Sequence, residues 1–136
     1  MTYHGSCLCG DVTFAITGHF QHFYLCHCQH CQKGSGSAHA ANLFAPKATL
    51  TWLTGAENVR GFTVPGTRHF RQFCNRCGAV LPSLQMEGQL VVCPAGSLDS
   101  PLEQRPDAHL FNASKAQWDE DLASIPQFNQ LPTENT

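Results

Sequence analysis

Short runs of apolar, or alternating apolar and polar, residues recur along the chain, each closed by a turn signal. Residues 12–16, 20–25, 38–44, 49–53, 59–64, 69–73, 80–84, 90–93 and 109–111 read as strands. Gly10, Gly18, Gly55, Gly66, Gly78, Gly88 and Gly96 punctuate them. Helical patterning is confined to a turn at 29–33 and a second short stretch at 115–122. Many short strands with Gly-bearing turns and little helix predict an all-β domain. We expect that domain to span residues 1–128, followed by a polar C-terminal tail at 129–136.

Composition agrees with this pattern. Charged residues are 13% of the 136-residue chain, and it carries 11 Gly and 8 Pro, a mixture that interrupts long helices. A chain of this length buries roughly two-thirds of its unfolded surface, so smallness alone does not demand a metal. The formal net charge of −2 argues against a nucleic-acid partner. The N-terminus shows no basic segment leading into an apolar run, and stretches such as 90–93 are too short to span a bilayer. The expected setting is cytoplasmic, away from membranes, where thiols stay reduced.

The cysteines then change the picture. Seven of the eight fall in three tight clusters: Cys7-Leu8-Cys9, Cys26-His27-Cys28-Gln29-His30-Cys31 and Cys74-Asn75-Arg76-Cys77. A disulfide scaffold is the rival reading, but Cys-x-Cys pairs bond poorly to each other and no export signal supports oxidation. On a strand, Cys7 and Cys9 would share one face. Cys74-x-x-Cys77 before Gly78 has the form of a zinc knuckle, in which the glycine lets the chain turn away. Each pair supplies half a tetrahedron, and together they would make a closed, structural four-cysteine site. Spacing also allows Cys28/Cys31 to pair with Cys74/Cys77 as a zinc ribbon, leaving Cys7, Cys9 and Cys26. The span between those pairs is longer than the roughly 15–20 residues of such motifs.

Cys26, Cys28 and Cys31 can grip one ion from a single loop. A zinc held by three thiolates keeps a fourth position, where a substrate thiol would be deprotonated near neutral pH. The competing reading fills that position with His27 or, more readily, His30. The loop that follows offers Lys33, Ser35 and Gly36 as weak candidates for holding a substrate anion. Arg71 alternates with His69 and Phe73, so one strand face could carry basic residues toward a pocket. Cys93, in an apolar run, reads as a buried thiol.

Several segments in order carry a resemblance: Gly5-Ser6-Cys7-Leu8-Cys9-Gly10-Asp11-Val12-Thr13-Phe14, then Cys26 to Lys33 with Ser35-Gly36-Ser37, then Phe73-Cys74-Asn75-Arg76-Cys77-Gly78. Gly96-Ser97-Leu98-Asp99, His109-Leu110-Phe111 with Ser114-Lys115-Ala116, and Ile125-Pro126-Gln127-Phe128 extend it. The chain resembles the glutathione-dependent formaldehyde-activating enzyme family, also called the centromere protein V domain family. Members usually carry Trp where Phe111 stands, Pro where Gln117 stands and an aliphatic residue where Cys93 stands.

The resemblance implies twisted β-sheets in a β-tent arrangement, shared with a Rab exchange factor. It implies structural zinc on Cys7, Cys9, Cys74 and Cys77 and catalytic zinc on Cys26, Cys28 and Cys31. Two zincs per chain are expected, the second held by fewer thiolates and open to partial loss. The implied activity is that of a carbon–sulfur lyase joining formaldehyde, or another small carbonyl compound, to glutathione or a similar thiol. The alternative is a non-catalytic, zinc-stabilised binding module, since the family includes chromatin-associated members.

Overall fold

The computed structural model describes residues 1–132. Of the expected tail 129–136, residues 133–136 lie outside the described residues, and 129–132 form no regular element. Among the described residues eleven strands make three sheets, with one α-helix and no closed barrel.

The first sheet joins β1 (Thr2–Ser6), β2 (Thr13–Thr17) and β5 (Thr49–Thr54) in the order β1-β2-β5, all antiparallel. Phe14 and Ile16 of β2 point into the core, while Thr13, Ala15 and Thr17 between them stay partly or fully exposed. Gly5 of β1 lies opposite Phe14, and a Cβ there would come 2.2 Å from the Phe14 ring and 2.4 Å from the Ser97 carbonyl oxygen.

The second sheet holds β3 (His22–Cys26), β4 (Ala40–Pro46), β9 (Ser83–Gln85), β10 (Leu90–Pro94) and β11 (Ala108–Leu110). Their order is β11-β3-β4-β10-β9, with β11 parallel to β3 and the other pairings antiparallel. The third sheet is β6 (Val59–Thr63), β7 (Phe70–Cys74) and β8 (Val80–Leu81). Val12, Phe14, Ile16, Phe20, Phe23, Leu43, Ala45, Leu81 and Val91 fill the shared core, and Cys7 and Cys74 reach its edge.

Every expected strand has a counterpart. The run 80–84 divides into β8 and β9 at Pro82, which has no N–H to give to a ladder. Strand β1 was not among the expected ones, because His4, Gly5 and Ser6 lack an apolar alternation; it is held by pairing with β2 instead. The helix α1 (Gln29–Ser35) extends the expected turn by two residues. It ends at Gly36, whose φ of 66° closes the C-cap with an N–H to Gln32 O bond.

The second expected helical stretch, 115–122, does not form. Turns and irregular backbone occupy it, with one 3-10 turn before it at Asn112–Ser114 and another starting at its last residue, Leu122–Ser124. A helix this short depends on burying an apolar face, and here Trp118 and Leu122 remain exposed.

Candidate metal centres

The first centre is built where β1 and β7 end. Just after β1, the Cys7 N–H donates to Val12 O (3.0 Å) and the Gly10 N–H to Cys7 O (3.1 Å), folding Cys9 back toward Cys7. At the end of β7, Gly78, with a φ of 76°, donates its N–H to Cys74 O at 2.7 Å and turns the knuckle. The four sulfurs of Cys7, Cys9, Cys74 and Cys77 all lie within 4.8 Å of one another, with Cys7–Cys9 at 3.6 Å and Cys9–Cys74 at 3.9 Å. A tetrahedral ion with metal–sulfur bonds of about 2.3 Å sets its sulfurs roughly 3.8 Å apart, so the donor set fits such an ion.

Backbone N–H groups point at sulfurs of this centre. The Val12 N–H points at Cys7 Sγ (3.3 Å) and the Arg76 N–H at Cys74 Sγ (3.4 Å). The Ala79 N–H, opposed by desolvation, draws the Cys77 thiol down to about 6. An Arg76–Asp11 ion pair joins the two turns on the outer side.

The second centre is built where β3 ends and α1 begins. Cys26 is the last residue of β3, paired with Ala40 of β4 on one side and Leu110 of β11 on the other. Cys28 is the N-cap of α1, its sulfur accepting the Cys31 N–H at 3.4 Å. Cys31 sits in the first turn, buried. The three sulfurs fall within 4.8 Å of one another. Burial pushes the Cys31 thiol above the ordinary thiol value. For Cys28, burial works the same way but is outweighed by the Cys31 N–H and the neighbouring thiols, and the net shift is downward.

Neither histidine of the loop joins these thiols. His27 is fully buried and serves as an anchor. Its N–H donates to Leu110 O at 2.9 Å, and its carbonyl accepts from Gln32 Nε2 (2.7 Å) and Ser114 Oγ (3.0 Å). Its ring shares a 2.8 Å hydrogen bond between Nε2 and His109 Nδ1, and Asp119 Oδ2 stands 3.5 Å from Nδ1. Desolvation first, then the neighbouring His39 and His109, holds the His27 pKa below its usual value. His30 is exposed, its ring 5.2 Å from that of His69. Among the described residues no His, Asp or Glu joins the three sulfurs within the 4.8 Å that groups them. The zinc-ribbon pairing is also overturned: Cys28 and Cys31 group with Cys26, while Cys74 and Cys77 group with Cys7 and Cys9.

A cavity of about 660 Å³ opens between the sheets, within the size range of small-molecule sites. All three sheets and α1 line it, and Cys31, His39, His69 and Arg71 are on its wall together with Cys7 of the first centre. Of the loop residues singled out from the sequence, Ser35 reaches the wall, while Lys33 and Gly36 do not. The Ser35 hydroxyl donates to Cys31 O (2.7 Å) and is also 3.2 Å from His39 O. Sequence reasoning missed the bracing residues: Gln32 reaches His27 locally from α1, and His109, Ser114 and Asp119 reach it because β11 lies parallel to β3. Cys93 is buried as expected, within 3.7 Å of Ser97 Oγ.

The structure thus defines an all-β protein of three sheets with two thiol clusters able to hold metal ions. A sequence model described as the glutathione-dependent formaldehyde-activating enzyme matches residues 2–114, and the chain belongs to that family. A crystal structure of a Rhodobacter sphaeroides protein is similar, with a TM-score of 0.58 and 18% identity. The match covers 78% of this chain and 98% of that one, a likeness of fold. Among curated proteins none matches. No helix of the described residues is long and apolar enough to cross a membrane.

Proposed function

We propose that the chain is a zinc-dependent carbon–sulfur lyase that acts on the adduct of glutathione, or a similar thiol, with formaldehyde or another small carbonyl compound. In the forward direction a thiolate sulfur bonds to the carbonyl carbon and the carbonyl oxygen takes a proton. The reverse step breaks that carbon–sulfur bond and returns the proton. The observation that carries this reading is the three-thiol set of Cys26, Cys28 and Cys31, with Cys31 on the wall of a ligand-sized cavity and no fourth side-chain donor among the described residues.

Cys7, Cys9, Cys74 and Cys77 would hold a structural zinc, and Cys26, Cys28 and Cys31 a second one. Zinc at the three-thiol set supplies a lowered pKa to a thiol that coordinates it, so that thiolate is present at neutral pH. The chain's part is to hold and orient. α1 fixes Cys28 and Cys31 one turn apart, and the His27 anchors keep the loop from relaxing. Ser35 is the member of the Lys33, Ser35 and Gly36 loop best placed to touch substrate. Reduced thiols in both centres suit a reducing compartment such as the cytoplasm.

The test pairs metal counting with turnover on the zinc-loaded chain. Cys28→Ser should leave the fold and one zinc in place and abolish the glutathione-dependent loss of formaldehyde followed by NMR. X-ray absorption showing both zincs saturated by protein donors, with no change on adding glutathione, would sink the lyase reading. It would leave a non-catalytic module.

A further inference from the structure

The cavity wall carries one permanent cation, and its surroundings leave that cation's donors unused. Arg71 of β7 is partly buried and lines the same cavity as Cys31. Among the described residues, arginine side-chain hydrogen bonds belong to Arg60 and Arg76, and the ion pairs involve His27, Arg76 and Lys115. The Arg71 guanidinium has neither kind of partner. The one carboxylate in the lining, Asp99, accepts the Ser6 hydroxyl at 2.7 Å instead. A guanidinium offers five donors in a planar fork suited to a carboxylate. Partial burial strengthens such a pair relative to open water.

The side chain is also held in place. Its guanidinium carbon lies 5.5 Å from the centre of the Phe73 ring, a cation–π distance. Its stem passes α1 at Gly34, where a Cβ would stand 3.5 Å from Arg71 Cδ and 3.6 Å from Nε. Gly34 is three residues after Cys31, which places it about 4.5 Å further along the helix axis and on the same face. Arg71 therefore crosses the helix about one turn beyond the cavity-facing thiol of the second centre, so one small molecule can reach both. His69 is held below the ordinary imidazole value by burial first, then by His30 and Arg71, and Arg71 is the permanent cation of the lining.

We propose that Arg71 is the anion-recognition residue of this cavity, and that the thiol substrate must carry a carboxylate. The inference rests on the thiol-adduct reading given above. It goes further by excluding neutral thiols and by assigning the carboxylate to a strand residue outside both cysteine loops.

The experiment uses the full chain loaded with cobalt(II), whose thiolate absorption bands report ligands entering the three-thiol centre. It is titrated with glutathione and with glutathione diethyl ester, which keeps the thiol and loses both carboxylates. The expected result is a preference of roughly tenfold for the acid over the ester in the wild type. Arg71→Gln should reduce that preference to near one, with the ester's affinity unchanged. Arg71→Lys should restore part of the preference, which a merely structural role would not do. The four-cysteine cobalt bands confirm that each variant is folded. Equal binding of acid and ester by the wild type, or an undiminished preference in Arg71→Gln, overturns the proposal and leaves the thiol reading standing. Cobalt bands that respond to neither compound overturn the thiol reading, and this inference falls with it.

Discussion

Gln32 braces the three-thiol loop from behind, and its removal should weaken the second centre selectively. Its amide nitrogen donates to His27 O at 2.7 Å and to Ser114 O at 2.9 Å. Gln32→Leu deletes both bonds with little change in volume. His27 O keeps one partner, Ser114 Oγ, while the other carbonyl loses its side-chain donor. Each neutral bond is worth about 1 kcal/mol net, and a poorly solvated orphan carbonyl adds to the loss, so about 2 kcal/mol is the expected cost. That cost falls where the loop is held, between His27 and the start of α1. The affinity of the three-thiol centre should drop roughly 30-fold. The four-cysteine centre, to which Gln32 makes no hydrogen bond, should be unaffected. Competition against a metallochromic chelator, resolving two binding steps per chain, measures both. Gln29→Leu is the control, since Gln29 is exposed on the same helix. Parallel weakening of both centres, or no change at either, would refute the reasoning.

Three further outcomes are expected. Gly5→Ala should destabilise the fold by about 1–3 kcal/mol, because its Cβ would overlap the Phe14 ring and the Ser97 carbonyl; an unchanged midpoint in urea would contradict the packing described. Burial raises the Cys93 thiol to about 12, from an ordinary 9.0. A raised folded-state pKa contributes stability that is full below pH 9 and lost as pH climbs toward 12, at about 1 kcal/mol per pH unit. Urea unfolding of wild type and Cys93→Ala across pH 8–11 should show the wild type's advantage shrinking, and a constant gap would speak against a buried neutral thiol. Stepwise chelation should remove one metal well before the other, with the melting temperature falling sharply only at the second loss; a large fall at the first would reverse the assignment of structural and reactive centres.

Much of this was legible in the sequence because it is local. The alternation in β2 buries Phe14 and Ile16 directly, and Pro82 marks its own break in the ladder. The Cys-x-Cys and Cys-x-x-Cys spacings carry the geometry of their own turns. Other features arise only from the tertiary path. His27 reads as a candidate ligand until β11 is laid parallel to β3, which brings His109 and Ser114, 82 and 87 residues away, onto its ring and carbonyl. Strand β1 has too few apolar residues to announce itself and forms because β2 offers an edge. The stretch 115–122 is helix-like in composition but lacks a groove for Trp118, so Lys115 and Glu120 pair across turns instead.

Chain topology suits the two proposed centres to different tasks. The first joins residues 65 apart in sequence, Cys9 and Cys74, and so fixes β1 against the third sheet. The second ties together residues only five apart, Cys26 and Cys31. Loop-closure entropy grows as (3/2)RT ln n, so the longer link constrains the unfolded chain by about 2 kcal/mol more than the shorter one. A metal in the first centre therefore stabilises the fold as a whole, and four donors suit that task. A metal in the second centre adds little to global stability, so its loop has to be held rigid by other means. The His27 brackets do this: an N–H to β11, a carbonyl shared by Gln32 and Ser114, and a ring against His109. Rigidity supplied from behind the loop leaves its front free of structural duty. That is the arrangement a site needs if it is to exchange ligands without loosening the protein around it.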